Sequence, residues 1–285
     1  MSDQVTRFLL ENLDIRGAIV QLDTVWQAVC AGRSYPPAVQ SVLGQMCAVT
    51  TIIATNLKQP ARLTFQLSGK GALSLLVIDC PENLNLRGYA RHTLEGQDPV
   101  PLASLLGDGQ LLMSLDMADA RQPYQSYVPV EGESIAAVFE HYLAQSEQQP
   151  AVLHLFANGK QAAGLFLQKL PGAELKDSDG WNRAAHLAST VKPEELFGLD
   201  AHAVLGRLFA EETVRVFEPR KVNHDFPPDR DKIATMLRGL GTTEIEHILA
   251  EHGEVLIRDD LSNHEYHFSA EEARALFGPD GPTVH

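Results

Sequence analysis

Cysteine is scarce in this chain. Three occur among 285 residues, Cys30, Cys47 and Cys80, and none lies after Cys80. An odd, widely spaced set argues against a disulfide framework. Cys30 and Cys47 sit in apolar helical patterns, where an unpaired thiol behaves as a small hydrophobe. Positive charge is short as well: 23 Lys+Arg against 37 Asp+Glu leave a formal net charge of −14. Phosphate contacts are made by Lys and Arg, so nucleic acid is not the expected partner. Long uninterrupted apolar runs are missing too. The most apolar stretch, residues 39–57, is broken by Gln40, Gln45, Thr50, Thr51 and Thr55. Its apolar residues recur at helical spacing (Val39, Leu43, Met46, Ile53), which predicts a buried or amphipathic helix and no membrane span. The opening Met1-Ser2-Asp3-Gln4 has neither the basic nor the apolar segment of a signal peptide. The cytoplasm is the expected compartment.

Catalytic signatures are lacking. No GxxxxGK[ST] motif occurs, so a P-loop ATPase is not indicated, and Gly69 and Gly71 read as a hairpin turn. No HExxH or GxSxG pattern occurs, and no Ser-His-Asp arrangement is suggested. His92, His141, His154, His186 and His202 are scattered and read as surface or satisfied histidines. The chain is expected not to be an enzyme and to carry no cofactor.

What remains is ordinary globular material, 44% hydrophobic and 21% charged. At roughly 100–200 residues per domain, the length suggests about two domains. Residues 5–32 read as a helix, a short strand and a second helix, with Asp23 or Thr24 as a cap. Tyr35-Pro36-Pro37 opens a long helix to about Lys58, with proline suited to its first turn. From Ala61 the period becomes two, and residues 63–67, 73–78, 86–91, 111–115 and 124–130 read as strands of a meandering sheet. Residues 134–148 form an amphipathic helix with Ile135, Val138, Phe139 and Tyr142 on one face. Asn158-Gly159 joins two further strands as a hairpin. After Pro171-Gly172 comes a charged stretch, then helices over 181–212 broken at Pro193 and Gly198, then a short strand at 214–217.

Residues 222–285 differ. They carry five Lys/Arg against thirteen Asp/Glu, a charge of −8, and six of the eleven histidines. The pattern is helix (230–240), helix (243–252), hairpin (254–268), helix (270–277). Thr243 with Glu246 and Ser269 with Glu272 have capping-box spacing. At about 60 residues, a lone core of this size is marginal.

These stretches resemble one family, the 33-kDa redox-regulated heat-shock chaperone family, heat shock protein 33. The resemblance is carried by Arg7-Phe8-Leu9-Leu10-Glu11-Asn12 with Arg16-Gly17, by Tyr35-Pro36-Pro37, and by Gln66-Leu67-Ser68-Gly69-Lys70-Gly71. It continues through Leu86-Arg87-Gly88-Tyr89-Ala90-Arg91, Tyr127-Val128-Pro129-Val130, the run Ile248-Leu249-Ala250-Glu251-His252-Gly253-Glu254, and Tyr266-His267-Phe268. The resemblance implies a C-terminal Cys-x-Cys and Cys-x-x-Cys binding zinc through thiolates. Here those positions fall on Phe226 and Pro228, and on Asp259 and Ser262. A thiolate zinc site and a thiol–disulfide switch are therefore chemically excluded in this segment. The chain looks like a divergent member lacking the switch.

The C-terminal module must then be held otherwise. Phe226, Ile233, Leu237, Ile248, Leu249, Ile257, Leu261, Tyr266 and Phe268 are core candidates, with Phe226 and Leu261 adding apolar area where the metal would lie. His224, Asp225, Asp259, Asp260, His264 and His267 are an alternative metal set, although acidic loops are usually just solvated; the expectation is no metal. Heat, pH or constitutive activity would replace oxidation as trigger.

The fold expected is α+β in three parts. These are a core domain over 1–173 with a large meandering sheet, a helical linker over 174–221, and a small module of helices and a hairpin over 222–285. The resemblance implies an ATP-independent holdase that binds unfolded or partly folded client proteins. Leu187, Leu196, Phe197, Leu199, Val204, Leu205, Leu208 and Phe209 of the linker helices are the expected client-binding residues. Two other functions stand beside it: a non-chaperone interaction module on the same fold, and a metal hydrolase using His224, Asp259 and His267. The resemblance also allows a homodimer. No membrane partner is expected.

Overall fold

The computed structural model describes residues 3–278, which divide into two compact units after His224. The first unit holds two antiparallel sheets. One has the order β10-β1-β2-β9-β8, from Gln4–Leu10 (β1), Ile15–Leu22 (β2), Ala151–Ala157 (β8), Ala162–Lys169 (β9) and Val214–Val216 (β10); Arg220–Lys221 (β11) also pairs with β1. The other has the order β5-β4-β3-β6-β7, from Arg62–Ser68 (β3), Leu73–Cys80 (β4), Arg87–His92 (β5), Gln110–Asp116 (β6) and Tyr124–Val128 (β7). The helices are Thr24–Cys30 (α1), Pro37–Asn56 (α2), Leu102–Leu106 (α3), Ile135–Ser146 (α4), Ala173–Lys176 (α5), Gly180–Ser189 (α6), Pro193–Gly198 (α7) and Ala201–Leu208 (α8).

α2 is the centre of the first unit and packs on strands of both sheets. It is long and apolar enough to cross a membrane by length and composition, but it is mostly buried in protein. Val39, Leu43, Met46, Cys47 and Val49 are fully enclosed. The threonines that interrupt the apolar run are satisfied inside the helix: Thr50 donates to Met46 O at 2.6 Å and Thr51 to Cys47 O at 2.9 Å. Gly44 lets the helix lie against the β8–β9 hairpin, because a Cβ there would stand 2.4 Å from Ala157 Cβ.

The predicted α+β class holds, and the meander is the β5-β4-β3-β6-β7 sheet. The first predicted helix does not form. Residues 4–10 are β1, paired with β2, β10 and β11. Their apolar residues (Val5, Phe8, Leu9, Leu10) fit a helical period, but long-range pairing on both edges overrides that local preference. Neither Asp23 nor Thr24 caps α1 by its own side chain. The carboxylate of buried Asp3, just before β1, does so, accepting from Asp23 N at 2.7 Å and Val25 N at 2.9 Å.

The second unit contains Arg230–Leu240 (α9), Thr242–His252 (α10), Glu254–Asp259 (β12), His264–Ser269 (β13) and Ala270–Ala275 (α11). Its core is Ile233, Leu237, Ile245, Leu249, Val255, Tyr266 and Phe268. Ile248 and Ile257 pack at its margin. Phe226 and Leu261 are half-buried and stand outside this core, contrary to expectation, because both lie in loops. Ser269 and Glu272 form the predicted capping box; Thr243 does not, since α10 begins one residue earlier, after Gly241.

Candidate functional site

The face of the β10-β1-β2-β9-β8 sheet opposite α2 is apolar. Phe8, Leu10, Ile15, Ile19, Leu165 and Leu167 line it, all buried. Strand alternation puts them on one side, since residues two apart share a face. The floor is flat at Gly17, where a Cβ would lie 2.2 Å from Phe8 Cζ. Residues 174–221, expected as a linker, belong to the first unit, and α6, α7 and α8 cover this face.

The sequence-predicted client-binding residues meet at this seam. Leu196, Val204, Leu205, Leu208 and Phe209 are buried in the cluster; Leu187, Phe197 and Leu199 are half-buried against it. The Phe209 ring lies 6.1 Å from that of Phe8. Each helix is short, so its packing rather than its propensity holds it. Polar ties fix the cover. Gln21, buried in β2, donates from Nε2 to Leu196 O at 2.6 Å and Leu199 O at 2.8 Å. Gln161 donates to Phe197 O at 3.3 Å. Arg183 of α6 holds Asp177 at 2.8 Å and Glu212 at 3.1 Å, joining the two ends of the helical layer. Asp200 caps α8 by accepting from Ala203 N at 2.8 Å.

The sheet beneath also carries polar residues, Thr6 and Gln21 among them, and a histidine. His154 lies on β8 directly opposite Leu165, and therefore faces the helical layer. Its Nε2 is buried without a hydrogen-bond partner among the described residues. Burial lowers its pKa from the ordinary histidine value. This corrects the expectation that His154 is a surface or satisfied histidine; only the alternation of Val152, His154 and Phe156 on one face marks its position.

The residues considered for a metal do not converge. His224 belongs to the first unit, where its Nδ1 lies 2.9 Å from Leu86 O. His267 points its Nδ1 toward Glu254 at 3.7 Å. Among the described residues, no three His, Cys, Asp or Glu side chains come together as a metal site. Of the hydrolase candidates, His224 lies in the first unit and Asp259 and His267 in the second, and none belongs to such a group among the described residues. The family's zinc does not fit either. Phe226 and Pro228 offer no donor side chain, and the Asp259 carboxylate is turned onto its own loop. Its Oδ1 accepts from Leu261 N at 3.0 Å and Ser262 N at 3.3 Å, and the Ser262 hydroxyl also bonds to it. Across the module, His264 Nε2 meets the Phe226 carbonyl, and Asp229 N donates to the Tyr266 hydroxyl at 2.9 Å.

Comparison with known proteins fits this architecture. The family model described as Hsp33 protein matches residues 3–269. The chain is 40% identical to the 33 kDa chaperonin of Chromobacterium violaceum over 98% of this chain and 95% of that one. It is 39% identical to the 33 kDa chaperonin of Methylobacillus flagellatus, over 97% and 95% respectively. The crystal structure of the 33 kDa chaperonin from Thermotoga maritima shares the fold, with a TM-score of 0.79 at 22% identity over 96% of this chain and 97% of that one. The chain belongs to the Hsp33 family of molecular chaperones.

Proposed function

We propose that this chaperone is an ATP-independent holdase whose capture surface is the seam between the sheet and helices α6 to α8. The observation that carries the reading is the double apolar lining of that seam. Displacing the helices bares Phe8, Ile15, Ile19 and Leu165 on one side, and Leu196, Val204, Leu205, Leu208 and Phe209 on the other. Apolar surface gains roughly 25 cal/mol per Å² when it leaves water, which suits it to exposed apolar segments of unfolding proteins. Binding of this kind discriminates little between sequences and needs no turnover. Neither a nucleic acid nor a membrane enters the reading, and the cytoplasm is the compartment it assumes. A second copy of the chain is a compatible partner.

The reading excludes thiol gating, because the positions that would carry the switch are Phe226, Pro228, Asp259 and Ser262. Heat, or no trigger at all, takes the place of oxidation. The experiment is light scattering of a thermally unfolding client, with and without peroxide. Equal suppression in both conditions is expected. Suppression only after peroxide overturns redox independence. None at any temperature overturns the holdase and leaves the fold as an interaction module.

A further inference from the structure

The two loops that carry zinc ligands in the resembling family are joined here by hydrogen bonds. The β12–β13 turn is organised by Asp259. Its side chain accepts the Leu261 and Ser262 amides, and its carbonyl accepts from Asn263 N at 2.8 Å. Asn263 adopts a left-handed backbone with φ +64°, a conformation asparagine tolerates well. Ser262 is itself buried, with its hydroxyl bonded to Asp259. The turn therefore has its polar backbone groups answered from within, by an oxygen where a thiolate would stand. The second loop is gripped from the following strand. A carbonyl only accepts, so His264 Nε2 carries the proton and donates to Phe226 O. Two residues farther along β13, the Tyr266 hydroxyl takes the Asp229 amide.

We propose that Asp259 and His264 form a metal-free clasp that replaces the zinc site, Asp259 shaping the hairpin turn and His264 pinning the Phe226 loop to it. The chemistry is that of a ligand set whose donors have been redirected to backbone groups. A carboxylate oxygen suits this because it accepts several N–H bonds at once, as at a helix N-cap. Neither partner is a thiol, so the clasp does not respond to oxidants, and nothing in it is removed by a chelator. Its hold is instead graded with temperature, since a handful of hydrogen bonds and the small core of Ile233, Leu237, Leu249 and Phe268 must keep the unit closed. The proposal deepens the redox-independent reading above. Its test reads metal content and amide exchange, so that a failed clasp and a failed holdase assay are told apart.

The test uses the full-length chain. Metal analysis after purification is expected to find no stoichiometric transition metal, and EDTA is expected to leave the amide-exchange pattern of residues 225–278 unchanged. In Asp259→Ala, the Leu261 and Ser262 amides are expected to exchange roughly tenfold faster or more, the scale of one lost hydrogen bond. Asp259→Asn keeps a side-chain oxygen acceptor and is expected to retain most of the protection. His264→Ala is expected to loosen the segment around Phe226, with Leu261 and Ser262 less affected. One retained metal equivalent, a change on adding EDTA, or unchanged exchange in Asp259→Ala would each overturn the clasp. So would an Asn variant as open as the Ala variant.

Discussion

Gln21 reaches out of a buried strand and binds Leu196 O at 2.6 Å, the carbonyl of a helix residue 175 positions later. A second bond from the same nitrogen goes to Leu199 O at 2.8 Å. One amide thus fixes both the end of α7 and the turn into α8 on the sheet. Gln21→Leu keeps comparable bulk and leaves both carbonyls without this donor. The cost of a buried unsatisfied group is about 1–3 kcal/mol. The expected outcome is faster hydrogen exchange over residues 193–199, stronger binding of an apolar dye, and suppression of client aggregation at a lower temperature. Exchange unchanged from the parent would show that Gln21 does not hold the cover.

Asp79 on β4 is nearly fully enclosed and sits between two guanidinium groups. Arg62 binds it at 2.6 and 2.7 Å, Arg87 at 2.9 Å, and the Thr64 hydroxyl at 3.0 Å. Burial alone would raise its pKa; the bonds to Arg62 and Arg87 outweigh burial and hold it below the usual carboxylate range. Asp79→Ala leaves Arg87, whose side chain is 16% exposed, without its buried counter-ion. Breaking such a pair costs about 3–5 kcal/mol. A urea melt of the variant should show that loss, with the first unit unfolding earlier. A shift below about 1 kcal/mol, the scale of an exposed ion pair, would reduce the network to surface decoration.

The three thiols are expected to be inert in the native chain. Burial pushes Cys30 and Cys80 up to about 12, and Cys47 well above the ordinary thiol value. The thiolate is the reactive form, so alkylation at pH 8 should be very slow for the folded protein and complete in denaturant. Mass spectrometry after a timed pulse of iodoacetamide reads both. Rapid native alkylation of Cys30, the least enclosed of the three, would show that burial does not silence it.

Local signals were legible in the sequence and non-local ones were not. The long helix from Pro37, the Asn158-Gly159 hairpin and the Ser269 capping box depend on neighbours within a few residues, and each appears as read. The strand at residues 4–10 was hidden because its apolar spacing also suits a helix; its pairing with residues 15–22 and 214–221 decides the matter. A sheet of the first domain is the expected surface beneath the linker helices, but missing β1 hid which residues form it. Leu196, Val204 and Phe209 could be picked out by helical period, yet Phe8, Leu10 and Ile15, which they cover, could not. Asp259 and His264 were visible as donors of the kind metals use. What one dimension concealed was their direction, toward backbone groups of their own module.

His154 makes the seam sensitive to acid. It faces the helical layer among Val152, Phe156 and Leu165, with α6 packed against β8 and β9. The inner side of α6 presents Ala184, Leu187 and Ala188. Its titratable residues are Arg183, engaged by Asp177 and Glu212, and His186, which is exposed. From α4, Glu140 accepts Leu153 N at 2.6 Å, with its own pKa raised by burial. Burial lowers the His154 pKa in the folded chain, while the unfolded value stays near ~6.5. Between those two values the unfolded state binds the extra proton, so stability falls as pH falls. The contribution is complete above about pH 7, declines as pH drops through ~6.5, and stops changing once the folded histidine is also protonated. His154→Gln removes that proton uptake. The difference in stability between parent and variant, followed by urea melts from pH 7.5 to 5, should therefore slope in this window and be level above it. Protection factors over residues 180–189, taken against the intrinsic exchange rate at each pH, should fall along the same slope in the parent only. A level difference throughout would mean that His154 turns its ring to water when protonated, leaving the cover in place.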